Sequence, residues 1–293
     1  AGVTPFFLAT VVGDVEIMAL SDGTLEFDLC NFFPAIPEEQ WSPYESHLHE
    51  HRVRFNLGSY LIRSDGRTIL VDTGLGPKPA DAPEAPWGQL LHDFRANGVS
   101  PDEVNMVVMT HLHRDHVGWN LLAQGESHVP TFPNARYWMS ATDWEACHKP
   151  DVQPTRFPNA PSCVWPLEAL GLIELMRGET SLTRELTTVP TPGHTPGHMS
   201  ILITSKNERA LVLGVELKPH RLAARRIHLL HRRRRHRRQH LEMLFRFRGA
   251  GGGQLPLRVV HLVTADRAQE DRRLPRLAEE RDRHVRLADI NKP

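Results

Sequence analysis

Cysteine is scarce in this chain: Cys30, Cys147 and Cys163 are its three. An odd, widely spaced set makes neither a disulfide framework nor a C-x-x-C zinc knuckle, and fits ordinary thiols of a reducing compartment. Nowhere do about 18 apolar residues run together, so no membrane-spanning helix is expected. Ala1–Leu20 has no basic region followed by an apolar stretch, so no signal peptide is read there, and a cytoplasmic location is the expectation. No Gly-x-Ser-x-Gly elbow occurs, which removes the serine-hydrolase reading. Net charge is absent too, 35 basic residues balancing 35 acidic ones.

That balance hides an asymmetry. Residues 215–293 hold 19 Arg and 2 Lys against 9 acidic residues, whereas residues 1–214 hold 14 basic and 26 acidic ones. All six Trp, all three Tyr and all three Cys lie in residues 1–214. The division expected is therefore a catalytic core over 1–214 and an atypical Arg-rich segment over 215–293.

Within the core, strands and helices alternate. Val11–Leu20 and Gly23–Phe27 suggest an early antiparallel pair. Asn31–Glu50, rich in Pro, Glu and His, reads as a loop. Asn56–Arg63 and Thr68–Gly74 read as two strands joined by a tight turn at Ser64–Arg67. Residues 77–87 carry four prolines and read as a loop. Trp87–Asn97 has helical spacing, with Gly98 suited to the stop. Val104–Met109 is a short apolar run, the pattern of a buried strand, and it delivers the chain into His111. Arg136–Met139 is a further strand, after which Ser140 suits the cap of a helix over Ala141–Cys147. Leu186–Val189 and Ser200–Thr204 flank a turn that contains His194, and Ala210–Leu213 is one more strand. Beyond Gly214, Leu222–Phe245 has the length of a helix, Gly249–Gly253 a linker composition, Leu255–Val263 a strand pattern, and Leu274–Leu287 is charged, helical or disordered.

Chemistry concentrates in Thr110-His111-Leu112-His113-Arg114-Asp115-His116. Imidazole and carboxylate are the usual ligands of zinc and related metals. In an extended segment His111 and His113 point to the same side, and a turn after them brings Asp115 and His116 to a neighbouring position. Four ligands within six residues thus begin two adjacent metal sites. A second motif, Thr191-Pro192-Gly193-His194-Thr195-Pro196-Gly197-His198, places His194 in a turn fixed by Pro and Gly. His198 is expected to be structural, because the strand starting at Met199 draws it away. A third, Val71-Asp72-Thr73-Gly74, ends a strand in a carboxylate that suits hydrogen-bonded support of the site rather than ligation. His47-x-His49-x-His51 alternates like a ligand pair but lacks a strand end and an acidic partner, and reads as a solvated loop.

These three motifs, in this order, resemble the metallo-β-lactamase superfamily over about Asn56–Leu213. Thr131–Trp138 and Gly118-Trp119-Asn120 look most like its branch of lactonases and organophosphate-type esterases. The resemblance implies an α/β fold, a four-layer αβ/βα sandwich with metal between the edges of two sheets. It implies that His111, His113 and His194 bind one metal, and that Asp115 and His116 help bind a second. The expected cofactor is one or two zinc ions, with iron or manganese as alternatives. The expected reaction uses a metal-bound hydroxide on an ester or lactone-like small molecule, Asp115 orienting the nucleophile or taking up a proton. Neither a membrane nor a nucleic acid is an expected partner.

The resemblance breaks where the tail begins. The family pattern places an Asp directly after the Leu-Gly of the strand ending at Gly214 and a late His some way beyond. Here Val215 occupies the first position, Glu216 is the nearest carboxylate, and His261 is the candidate late ligand. Three origins fit the tail. It is a basic extension that binds nucleic acid or a partner through runs such as Arg232–Arg238, a diverged second half with one metal site intact, or a shifted reading frame. The abrupt onset at the expected Asp favours the last. Without that Asp, a catalytically impaired metal-binding protein is the alternative to an enzyme.

Overall fold

A computed structural model describes residues 9–32, 36–48, 52–78, 87–125 and 127–214, and beyond them the backbone of Ile227–Leu230, Leu244–Arg248 and Gln254–Val260. The described residues form two seven-stranded sheets and a small hairpin. The first sheet begins as an antiparallel meander of β1 (Ala9–Val12), β2 (Val15–Asp28), β3 (Arg52–Ser64) and β4 (Arg67–Val71). It continues in parallel through β5 (Met106–Val108), past the hairpin β6 (Leu121–Gln124) and β7 (Ser127–Pro130), to β8 (Arg136–Ser140) and β9 (Ile173–Met176). The second sheet takes β10 (Thr180–Ser181), β11 (Leu186–Pro190), β12 (Met199–Ser205) and β13 (Glu208–Val212). Beside β13 lie β16 (Gln254–Val260), β15 (Leu244–Arg248) and β14 (Ile227–Leu230), in that order.

Strand periodicity assigns each residue to one of two cores. On β4 and β5, Leu70 and Val107 face the helix side of the sheet, in one cluster with Leu90, Phe94, Phe132 and Tyr137. Their neighbours Ile69, Val71, Met106 and Val108 face the second sheet, against Leu186, Ile201, Ile203 and Val212. Burial of each such aliphatic side chain contributes roughly 1.5–3 kcal/mol, and a slip of one residue would exchange the two sets, so the register is strongly fixed. Helices, first sheet and second sheet thus make three successive layers of the expected sandwich; a fourth, helical layer is not found among the described residues. No helix among them is long and apolar enough to cross a membrane.

Several expectations are corrected. The early hairpin is not at Gly23: β2 runs through from Val15 to Asp28 with a bulge between Ser21 and Gly23, and its partner β1 lies before it. The bulge exists because Asp22 turns inward to full burial and takes the backbone N–H groups of Leu75 and Leu90 and the Trp119 indole N–H. The loop over Asn31–Glu50 contains a 3-10 helix, Glu38–His47. Leu222–Phe245 is not one helix, since Ile227–Leu230 is a strand and the strand Leu244–Arg248 begins inside the range. Gln254–Val260 forms the strand expected over Leu255–Val263 and pairs parallel to β13. His49, His51, Glu216, His261, the linker and Leu274–Leu287 lie outside the described residues.

Candidate metal centre

Two parallel strands end side by side, β4 at Val71 and β5 at Val108, and the loops that leave their carboxyl ends build the site. Ligand-bearing loops gather at that end of an open α/β sheet because the strands terminate there together. Asp72 leaves β4 with φ of 60°, a left-handed conformation that costs a non-glycine residue about 1 kcal/mol or more. The turn brings its carboxylate back over β5. There Oδ1 accepts the Thr110 backbone N–H at 2.8 Å and Oδ2 accepts the Thr110 hydroxyl at 2.7 Å. His116 Nδ1 lies 2.8 Å from the same Oδ2. The support expected of Asp72 is what its geometry provides.

This network fixes a tautomer. The Thr110 hydroxyl has one proton and gives it to Asp72, so at 3.1 Å from His111 Nδ1 it accepts. His111 Nδ1 therefore carries the ring proton and Nε2 presents a lone pair. That Nε2 is buried and has no hydrogen-bond partner, an arrangement that costs about 1–3 kcal/mol unless something else binds there.

His113 and His194 supply that neighbourhood. His113 caps the short helix Arg114–Val117 in an extended conformation, and His194 sits in the turn between β11 and β12. Their nitrogens, His113 Nδ1 and His194 Nε2, face each other at 2.8 Å. One nitrogen from each of His111, His113 and His194 lies within 4.8 Å of the others. Burial, with the neighbouring imidazoles, holds His111 well below the usual imidazole range and His113 down to about 4; His194 is lowered as well, by burial and by His116. All three are thus neutral near pH 7, the form that coordinates metal. Three convergent neutral imidazoles, one with an orphaned buried nitrogen, fit a divalent ion of the zinc type.

The helix Arg114–Val117 turns Asp115 and His116 to the adjacent position, as the spacing predicts. His116 Nε2 lies 3.4 Å from Asp115 Oδ2. Burial opposes charge on His116, but Asp72 and Asp115 on either side outweigh it and push the group up to about 10. Burial likewise works against ionised Asp115, yet His116 and His113 hold its carboxyl well below the usual range. His194 and the 39% exposed side chain of Asp115 mark the open side of the site.

His198 departs from expectation. The strand does begin at Met199, but His198 stays buried against the cluster, its ring centroid 5.2 Å from that of His111. Its Nδ1 pairs with the Thr191 hydroxyl at 2.8 Å, across the neck of the His194 turn. The Gly118-Trp119-Asn120 motif is a brace: Gly118 lies so close to the Leu75 backbone that a Cβ would meet its carbonyl carbon at 1.9 Å, Trp119 donates to Asp22, and Asn120 accepts the Thr73 hydroxyl proton at 2.9 Å. Sequence reasoning missed Asp143. At the third position of the helix Ala141–Ala146, it is fully buried beneath the His194 turn.

The sequence profile of the metallo-beta-lactamase superfamily matches residues 58–214. This chain belongs to the metallo-β-lactamase superfamily. As a superfamily hydrolase it is similar to the N-acyl homoserine lactonase AttM of Rhizobium radiobacter, 25% identical over 195 residues that span 57% of this chain and 70% of AttM. The N-acyl homoserine lactonase AiiA of Bacillus thuringiensis subsp. kurstaki is 26% identical over 174 residues, 54% of this chain and 62% of AiiA. Among solved structures, the beta-lactamase-superfamily hydrolase AbOPH superposes with a TM-score of 0.60 at 25% identity, over 73% of this chain and 74% of its own. The dizinc quorum-quenching lactonase AidC gives 0.58 at 22% identity, over 71% and 73%. The profile match stops at Gly214, the residue after which the composition changes.

Proposed function

We propose that this metallo-β-lactamase superfamily member hydrolyses a lactone or ester, N-acyl homoserine lactones first among them. In this reading His111, His113 and His194 hold one divalent metal, zinc in the first instance, and Asp115 and His116 begin a second position. The observation that carries it is the convergence of three neutral imidazoles on the buried, partnerless Nε2 of His111. The lactone class rests on the relatives, which are lactonases by name. A divalent metal held there supplies acidified water near neutral pH and a Lewis acid for a carbonyl oxygen.

The chain's own residues divide the remaining work. Asp72 and Thr110 fix the ring orientations of His116 and His111 from behind. Asp115, at the open side and held ionised, accepts a hydrogen bond from an attacking water and aims it. Substrate approaches past His194 and Asp115, where the site meets solvent.

The test is elemental analysis of the dialysed full chain, followed by pH-indicator assays of N-acyl homoserine lactone opening and of aryl-ester hydrolysis. About one to two metals per chain and chelator-sensitive, zinc-restored turnover are expected. A chain that zinc, manganese and iron all fail to load would sink the reading. Bound metal with no turnover on either substrate would instead support a metal-binding protein without hydrolysis, the alternative favoured by Val215 at the end of the family match.

A further inference from the structure

We infer that Asp143 is a positioning residue for the metal centre, holding the loop of His111 and His113 and the turn of His194 at a fixed separation. The inference rests on the ligand assignment proposed above. Asp143 is fully buried on the helix Ala141–Ala146, whose start is capped by the Ser140 hydroxyl. Its Oδ2 accepts the hydroxyl of Thr195 at 2.7 Å, and Thr195 directly follows His194. Its Oδ1 accepts the backbone N–H of Gly197 at 2.7 Å, further round the same turn. The backbone N–H of Leu112, between His111 and His113, also lies close enough to favour its ionised form. One carboxylate therefore receives two donors from the His194 turn and lies beside the backbone N–H between His111 and His113.

The turn is also pressed onto the start of that helix. A Cβ on Gly197 would lie 2.5 Å from the Asp143 backbone nitrogen and from Ser140 Oγ. Across the turn, the Arg156 guanidinium donates to the His194 carbonyl at 2.8 Å. His194 is thus held from two sides, and of these two holds Asp143 is the one that also lies beside the backbone between His111 and His113. The chemistry requires a carboxylate. Two donors, one on each oxygen, need both oxygens, whereas an amide offers one oxygen and turns an N–H₂ group toward a donor.

A merely structural Asp143 would cost stability without changing what the three imidazoles can grip, so the experiment separates the two. Zinc affinity of the full chain is measured by competition with a chromogenic chelator for wild type, Asp143→Asn, Thr195→Val and Asp22→Asn. Thermal unfolding is followed for each, along with the visible spectrum of the cobalt-substituted forms. Asp22→Asn removes a buried, multiply bonded carboxylate outside the ligand loops and controls for stability. Asp143→Asn is expected to weaken zinc about 10–100-fold, the usual cost of losing an outer partner of a ligand. Thr195→Val, which keeps the shape and removes one bond, should weaken it by a smaller factor, and both should shift the cobalt bands, whereas Asp22→Asn leaves affinity and bands unchanged. Affinity and spectrum unchanged in Asp143→Asn, or altered equally in Asp22→Asn, would overturn the inference. Should Asp143→Asn not fold, an unchanged affinity in Thr195→Val overturns it alone. If wild type binds no zinc, the ligand assignment itself fails; if wild type binds and the variants match it, only the role of Asp143 fails.

Discussion

Five histidines crowd this site, and their surroundings separate them. His113 offers a nitrogen to the convergent group, so His113→Ala should lose most of the metal and lower kcat/KM by more than the roughly 10–100-fold typical of losing an outer partner. His198 presents its Nδ1 to Thr191 instead. His198→Ala should keep its metal and lose about 1–3 kcal/mol of stability, because a buried hydrogen bond is lost and a buried space is left empty. Metal analysis beside urea unfolding of both variants checks the pair; equal metal loss would mean that His198 belongs with the ligands. The ligand run was legible in the sequence because its spacing alone concentrates imidazole and carboxylate. The position of His198 was not, since a strand start says nothing about which neighbour its first side chain meets.

At the scale of elements, one buried carboxylate ties together the helix side of the first sheet. Asp22, at the bulge of β2, gathers Leu75, Leu90 and Trp119, and so joins the β4 loop, the helix Leu90–Ala96 and the segment after His116. There is no room for anything larger than hydrogen at Gly74 and Gly88, where a Cβ would meet the Asp22 carboxylate at 2.2 and 1.9 Å. Burial pushes the Asp22 carboxyl up to about 6 against the pull of these donors. Its pKa is then higher folded than unfolded, so the native state binds the proton more readily. The resulting contribution to stability is complete below about pH 4 and is lost as pH rises through about 6. Relative to Asp22→Asn, which cannot titrate, the wild-type unfolding free energy should fall across this window by on the order of 3 kcal/mol. Urea unfolding of both proteins at intervals from pH 4 to pH 7 measures it, and parallel pH profiles would refute it.

For the whole molecule, the question is the chain after Gly214. The family match ends there, and Arg-rich sequence without Trp, Tyr or Cys begins. A shifted reading frame predicts that the coding DNA, read in another frame, places an Asp directly after Leu213-Gly214 and a His some tens of residues later. Restoring that frame should raise metal content, solubility and activity together. No such frame, with a soluble chain as written that carries two metals, would refute it and make Glu216 and His261 the first residues to substitute. The backbone of β14, β15 and β16 completes the seven strands of the second sheet, with β16 alongside β13.

By itself the sequence determined the family, most of the strands of the core and the five candidate ligands, because these depend on local pattern: periodicity of two, turn residues at Gly and Pro, and ligand types packed into a few positions. Only the tertiary structure decided which buried carboxylates tie distant segments together. Asp22 and Asp143 are single acids in unremarkable contexts, and their partners lie 53 to 97 and 52 to 54 residues away in the chain. A buried carboxylate is stable only where several donors converge on it, and that convergence is a property of packed loops rather than of any stretch of sequence.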